Sequence, residues 1–97
     1  MQKSIHTVQH AQLRVLLREA RQEAGLTQMQ LAERLDILQA VVSNVERGER
    51  RLDLVELCEY CDALGIELSE FVTKFQQACS KKKRLPQEEI GKPDSTP

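Results

Sequence analysis

Gly25-Leu26-Thr27-Gln28-Met29-Gln30-Leu31-Ala32-Glu33-Arg34-Leu35-Asp36-Ile37-Leu38-Gln39-Ala40-Val41-Val42-Ser43-Asn44-Val45-Glu46-Arg47-Gly48 is the stretch whose reading decides the fold. It reads as two short helices joined by a tight turn. Thr27, followed three residues later by Gln30, forms a capping box that starts the first helix. Gly25 ends the helix before it, and Gly48 stops the second helix. Leu31, Ala32 and Leu35 recur at helical spacing. Asp36 tolerates the left-handed backbone that a sharp helix–helix turn needs. Val42 and Val45 make the buried ridge of the second helix, which leaves Gln39, Ala40, Ser43 and Asn44 on its other face.

That face has a chemistry. Gln and Asn side chains can bond an adenine edge twice, and an alanine methyl can touch a thymine methyl. Asn44 lies five residues after Gln39, about 500° around the helix, and so returns to within about 140° of it. A short helix with amides at its N-terminal end, packed behind a capped helix, has the form that enters a DNA major groove.

From about Leu13 to Val72 the chain resembles the phage-repressor and Cro-type (Xre) helix-turn-helix family. The matching residues are Leu26-Thr27-Gln28, Leu31-Ala32-Glu33-Arg34-Leu35, Gln39, Val42-Ser43, Val45 through Arg50, and Ala63-Leu64-Gly65-Ile66. Three positions depart from the family pattern. Asp36 replaces the common turn glycine, Leu38 the usual Ser or Thr cap, and Val41 a polar residue, which makes the recognition face less polar. The missing cap weakens the second helix by up to about 1 kcal/mol. The resemblance implies that Gln28 contacts a phosphate and braces Gln39. It also implies an ion pair between Arg21, near the end of the first helix, and Glu46.

Ninety-seven residues make one small domain with a single core. The aromatics are Tyr60, Phe71 and Phe75, with no tryptophan, so an aliphatic core is expected. No apolar run is long enough to span a membrane, and no apolar leader follows Lys3; a cytoplasmic protein is expected. The formal net charge of −1 is not the basic balance of many nucleic-acid binders. Between Ala11 and Cys79, eight Arg and Lys face twelve Asp and Glu, a net near −4. Placement matters more than the sum. Arg34, Arg47, Arg50 and Arg51 gather around the motif, and acids gather from Asp53 onward. A modestly positive end and an acidic end are expected.

The whole chain reads as all-α: a five-helix, repressor-like domain over residues 8–79 with a central helix-turn-helix, then a flexible, disordered polar tail over 80–97. The first helix runs from Thr7 or His10 to Ala24, with Leu13, Leu16, Leu17, Ala20 and Ala24 as its apolar stripe. Helices follow at Gln28–Leu35 and about Gln39–Arg47. Asp53 caps a fourth helix that ends at Gly65. Ser69 caps a fifth, with Glu70 in its first turn, ending near Cys79. The tail opens with Lys81-Lys82-Lys83-Arg84, which reads as a solvated segment, a non-specific phosphate contact or a disordered arm.

Cys58-Glu59-Tyr60-Cys61 invites a zinc or redox reading. Helical spacing puts Leu54, Leu57, Cys58, Cys61 and Leu64 on one stripe, so the thiols read as core residues. The competing reading is a metal site completed by Cys79, His6 and His10, but nothing in the spacing pairs them. No nucleophile–base pair, phosphate-cradling glycine loop or carboxylate pair stands out. Neither an enzyme nor a cofactor is expected.

Two functions follow. The first is a sequence-specific DNA-binding transcriptional regulator. Its third helix lies in the major groove of double-stranded DNA. Gln39, Ala40 and Asn44 meet base edges, Ser43 sits at the margin, and Arg47, Arg50 and Arg51 hold the backbone. One domain reads one half-site, so a homodimer on a two-fold operator is expected, its surface drawn from Ile66, Leu68, Phe71, Val72 and Phe75, some of which must instead close the core. The second is a protein-interaction module, antitoxin-like or accessory, whose acidic fourth and fifth helices bind a partner protein.

Overall fold

A computed structural model describes residues 7–88, with side chains described for residues 7–80. Five helices follow one another: α1 Val8–Glu23, α2 Gln28–Leu35, α3 Gln39–Arg47, α4 Leu54–Leu64 and α5 Leu68–Glu88. No strand occurs among the described residues. The expectations on His6 and on residues 89–97 lie outside that range, and so do those on the Lys81–Arg84 side chains.

Local chemistry starts three of these helices. Thr7 accepts the His10 N–H at 3.0 Å and caps α1. Thr27 and Gln30 close a reciprocal capping box on α2, and Asp53 and Glu56 close another on α4. Helix α3 has no such cap, because Leu38 stands at the N-cap with no side-chain hydrogen bond. Asp36 takes the left-handed conformation, φ 58°, and so makes the turn between α2 and α3 without a glycine. Its short polar side chain makes that conformation accessible to a residue with a Cβ.

The core draws on all five helices: Leu17 from α1, Leu31 and Ala32 from α2, Val42 and Val45 from α3, Tyr60, Cys61 and Leu64 from α4, and Phe71 from α5. Helix α2 packs on α3 and α4, while α1 packs on α3 and α5. The recognition-type helix is thus held from behind by two others, with its opposite face left open.

Several expectations change. Helix α5 does not end near Cys79 but runs to Glu88. No glycine or proline lies between Gly65 and Pro86, and the Ala, Lys and Arg residues there are good helix formers. Ser69 does not cap α5; it is the second helical residue, and its carbonyl accepts the Thr73 hydroxyl at 2.9 Å. Leu54 is 66% exposed and leaves the inward stripe, because the first turn of α4 stands clear of the core. Phe71 is buried in the core, and Ile66 and Leu68 pack against it, so these three are not free for a dimer surface. Val72 is exposed and Phe75 half-buried.

Candidate nucleic-acid interface

At its C-terminal end α3 is tied to α1 and α2 by one polar network. Glu46 accepts from Arg21 Nε at 2.6 Å and from Arg21 Nη2 at 3.0 Å. The other Arg21 nitrogen, Nη1, donates to the Leu26 carbonyl at 2.8 Å. Gln28 Nε2 donates to the same carboxylate at 3.0 Å. Gln28 Oε1 in turn accepts a long 3.4 Å contact from Gln39 Nε2. The ion pair is buried, with side-chain exposures of 11% and 6%. Burial opposes ionisation of Glu46, but the bonds from Arg21 and Gln28 and the charges of Arg21 and Arg18 outweigh it, holding the carboxyl below its usual range. Hydrogen bonding to Glu46 likewise raises Arg21.

The outer face of α3 starts with Gln39 and Ala40, both exposed, and continues to Ser43 and Asn44, both half-buried. Arg47 folds back along it. Its guanidinium donates to Ser43 Oγ at 2.6 Å, to Asn44 Oδ1 at 2.5 Å and to Glu49 Oε1 at 3.2 Å. The sequence reading sends Arg47 to phosphates and does not anticipate this grip. The signal was available, since residues three and four apart on a helix are neighbours.

Arg50 is turned the other way. It pairs with Glu56 at 2.8 Å and donates to the Arg51 carbonyl at 3.1 Å. Arg51 is exposed on the linker before α4. Arg34 donates to the Ala63 carbonyl at 2.9 Å, tying α2 to α4. Two arginines of the motif, Arg47 and Arg50, therefore each carry a carboxylate partner, and the positive end expected from the sequence is partly cancelled.

Two further placements frame the site. Gly48 is buried with φ 82°, and a Cβ there would lie 2.7 Å from Arg14 Nε. The positive φ favours glycine here, and a side chain would also have to displace the Arg14 guanidinium packed over it from α1. Val41 does not lie on the open face. It lines a cavity of about 60 Å³ with Leu35, Ile37, Leu52, Arg50 and Tyr60. An apolar residue suits that position. Tyr60 is 3% exposed, and its hydroxyl is buried without a hydrogen-bond partner. Burial, with a contribution from Glu46, pushes the phenol up to about 12.

Cys61 is buried in the core, Cys58 is half-buried and Cys79 is buried. Burial raises the Cys61 thiol, which favours the unreactive neutral form. Among the described residues, no group of three or more His, Cys, Asp and Glu side chains is placed to hold a metal ion. None of the described helices is long and apolar enough to cross a membrane.

A capped helix, a tight turn and a second helix with an open polar face define a helix-turn-helix protein. The family model described as helix-turn-helix matches residues 17–71, and the chain belongs to that family, in its XRE branch. It is 40% identical over 53 residues to an HTH-type transcriptional regulator of Sinorhizobium fredii, covering 55% of this chain and 69% of that protein. Another, from Methanothermobacter thermautotrophicus, is 38% identical over 55 residues, covering 57% and 80%. Among solved structures, an XRE-family-like protein from Pseudomonas syringae superposes with a TM-score of 0.71 at 39% identity, over 76% of this chain and 90% of that one. The clp gene regulator ClgR of Corynebacterium glutamicum gives 0.66 at 25% identity, over 73% and 91%.

Proposed function

We propose that this protein is a cytoplasmic, sequence-specific DNA-binding transcriptional regulator without enzymatic activity, which inserts α3 into the major groove of a two-fold operator as a homodimer. The observation that carries the reading is the open face of α3. Gln39 and Ala40 are exposed at its N-terminal end, while its opposite side is buried and its far end is fixed through Glu46. A rigid helix that presents amides to solvent has the form that direct readout needs. The transcriptional regulators among its relatives support the same reading.

Gln39, Ala40 and Asn44 meet bases, with Ser43 at the margin. Gln28 meets a phosphate at the start of α2 while bracing Gln39, and Arg21 and Glu46 hold the frame. Arg50 and Arg51 hold phosphates from the linker, Arg50 by leaving Glu56. The dimer forms through Val72 and Phe75 on α5. A gel shift against random-sequence DNA at low and moderate salt tests this. Retarded complexes that weaken steeply with salt are expected. Absence of binding at both salts moves the assignment to a protein-interaction module, for which the acidic α4 is the docking face.

A further inference from the structure

A side-chain amide carries a donor end and an acceptor end, and its neighbours decide which end is left for a base. Arginine has donors only. Asn44 must therefore turn Oδ1 toward Arg47, and the 2.5 Å contact from Arg47 Nη2 does so. The guanidinium is itself anchored by Ser43 Oγ at 2.6 Å and Glu49 Oε1 at 3.2 Å. That leaves both Asn44 Nδ2 hydrogens without a hydrogen-bond partner among the described residues.

Gln39 is oriented differently. Glu46 has acceptors only, so Gln28 turns Nε2 toward it and offers Oε1 to Gln39. Gln39 spends one Nε2 hydrogen on that contact. It keeps the other hydrogen together with Oε1, the donor–acceptor pair that matches adenine N7 and N6. The two amides of one helix face are thus set to different codes by two charged neighbours.

We infer that Arg47 is a specificity-determining positioning residue: by drawing Asn44 Oδ1 toward itself it leaves the Nδ2 hydrogens as the end offered to a base, which favours the acceptor edge of guanine, O6 and N7, over adenine, whose edge also carries a donor. Arg47 acts through Asn44 rather than on the DNA. Glu49 accepts from the same Nη2 at 3.2 Å and so helps to hold Arg47 in this position. The inference rests on the proposed DNA-binding function.

The test is selection from a random DNA pool with the full chain, comparing the unmodified protein with Asn44→Ala, Arg47→Ala, Arg47→Met and Arg47→Lys. Asn44→Ala marks the base position that Asn44 reads, as the one whose preference flattens. At that position the unmodified protein is expected to favour guanine over adenine by on the order of tenfold. Arg47→Ala releases Oδ1 and is expected to shift that ratio toward adenine by a similar factor, with the other positions unchanged. Arg47→Met keeps the stem without the donors and carries the same reading if Arg47→Ala does not fold. Arg47→Lys, still a pure donor, retains the guanine preference. An unchanged base ratio in Arg47→Ala and Arg47→Met, with weaker binding to all sequences and a salt slope reduced by about one, overturns the inference and makes Arg47 a phosphate contact. If the unmodified protein enriches no sequence at all, the proposed function falls and this inference with it.

Discussion

Of the three Arg–Glu pairs among the described residues, two tie separate elements together in different surroundings. Arg21 and Glu46 lie 25 residues apart, join α1 to α3, and have side-chain exposures of 11% and 6%. Arg50 and Glu56 lie six residues apart, bridge the linker to α4, and have exposures of 39% and 33%. The first pair is held further by bonds from Arg21 to the Leu26 carbonyl and from Gln28 to Glu46. The second sits at the edge of a cavity and shares Glu56 with the α4 capping box. The difference teaches where an ion pair matters. A buried pair fixes the relation of two helices because either partner alone would be an uncompensated charge, whereas an exposed pair is screened by water and salt.

Removing one partner of the buried pair is the largest expected effect. Arg21→Ala destabilises by about 2–4 kcal/mol, since Glu46 is left buried without its bonds. Denaturant unfolding measures it, and a double-mutant cycle with Glu46→Ala isolates the pairwise part. A coupling energy near zero would break the comparison at its root.

The pH dependence follows next, and it has opposite signs at the two extremes. Glu46 is depressed below its usual 4.5, so its stabilisation is present above that pH and is lost as pH falls through the lowered folded value. Tyr60 is raised from 10 to about 12, so the unfolded state ionises first. Its contribution is intact below pH 10 and is lost as pH rises toward 12, by about 2–3 kcal/mol in full. Thermal melts across both ranges check this. Tyr60→Phe should flatten the alkaline limb and leave the acid limb alone; an unchanged alkaline limb would show that another group carries it.

Helix α3 is fixed at its C-terminal end but uncapped at Leu38, which is 73% exposed. Leu38→Ser therefore adds a cap without opening a hole and stabilises by about 0.5–1 kcal/mol in a thermal melt. Arg50→Ala is the smallest effect. It removes the exposed pair while sparing the α4 capping box, and 1 M salt should erase most of the difference from the unmodified protein. A loss as large as that of Arg21→Ala, persisting in salt, would mean that burial does not separate the two pairs.

Much of this was legible in the sequence because it is local. Capping boxes depend on residues three apart, so Thr27–Gln30 and Asp53–Glu56 place the starts of α2 and α4 within the chain segment itself. Asp36 marks the turn by its own backbone tolerance, and helical periodicity puts Val42 and Val45 inside. The five-helix order and the missing cap at Leu38 follow from the same kind of evidence. The resemblance to the XRE family named Arg21 and Glu46 as partners, a pairing across 25 residues that local rules could not supply.

Which way each side chain points follows from packing in three dimensions, beyond what spacing along the chain sets. Phe71 and Val72 are adjacent in sequence, yet one fills the core and the other faces solvent, because α1 and α4 close over only one side of α5. Val41 belongs to a cavity against α4 and not to the open face, and Arg50 belongs to Glu56. The sequence determined which helices form and which residues carry polar chemistry, since those depend on spacing along one chain. The partner that orients Gln39, Gln28, lies on α2, and Arg47 grips Asn44 from their own helix. Hydrogen bonds and burial are satisfied in three dimensions, so which end of each amide remains free for a base follows from the packed fold.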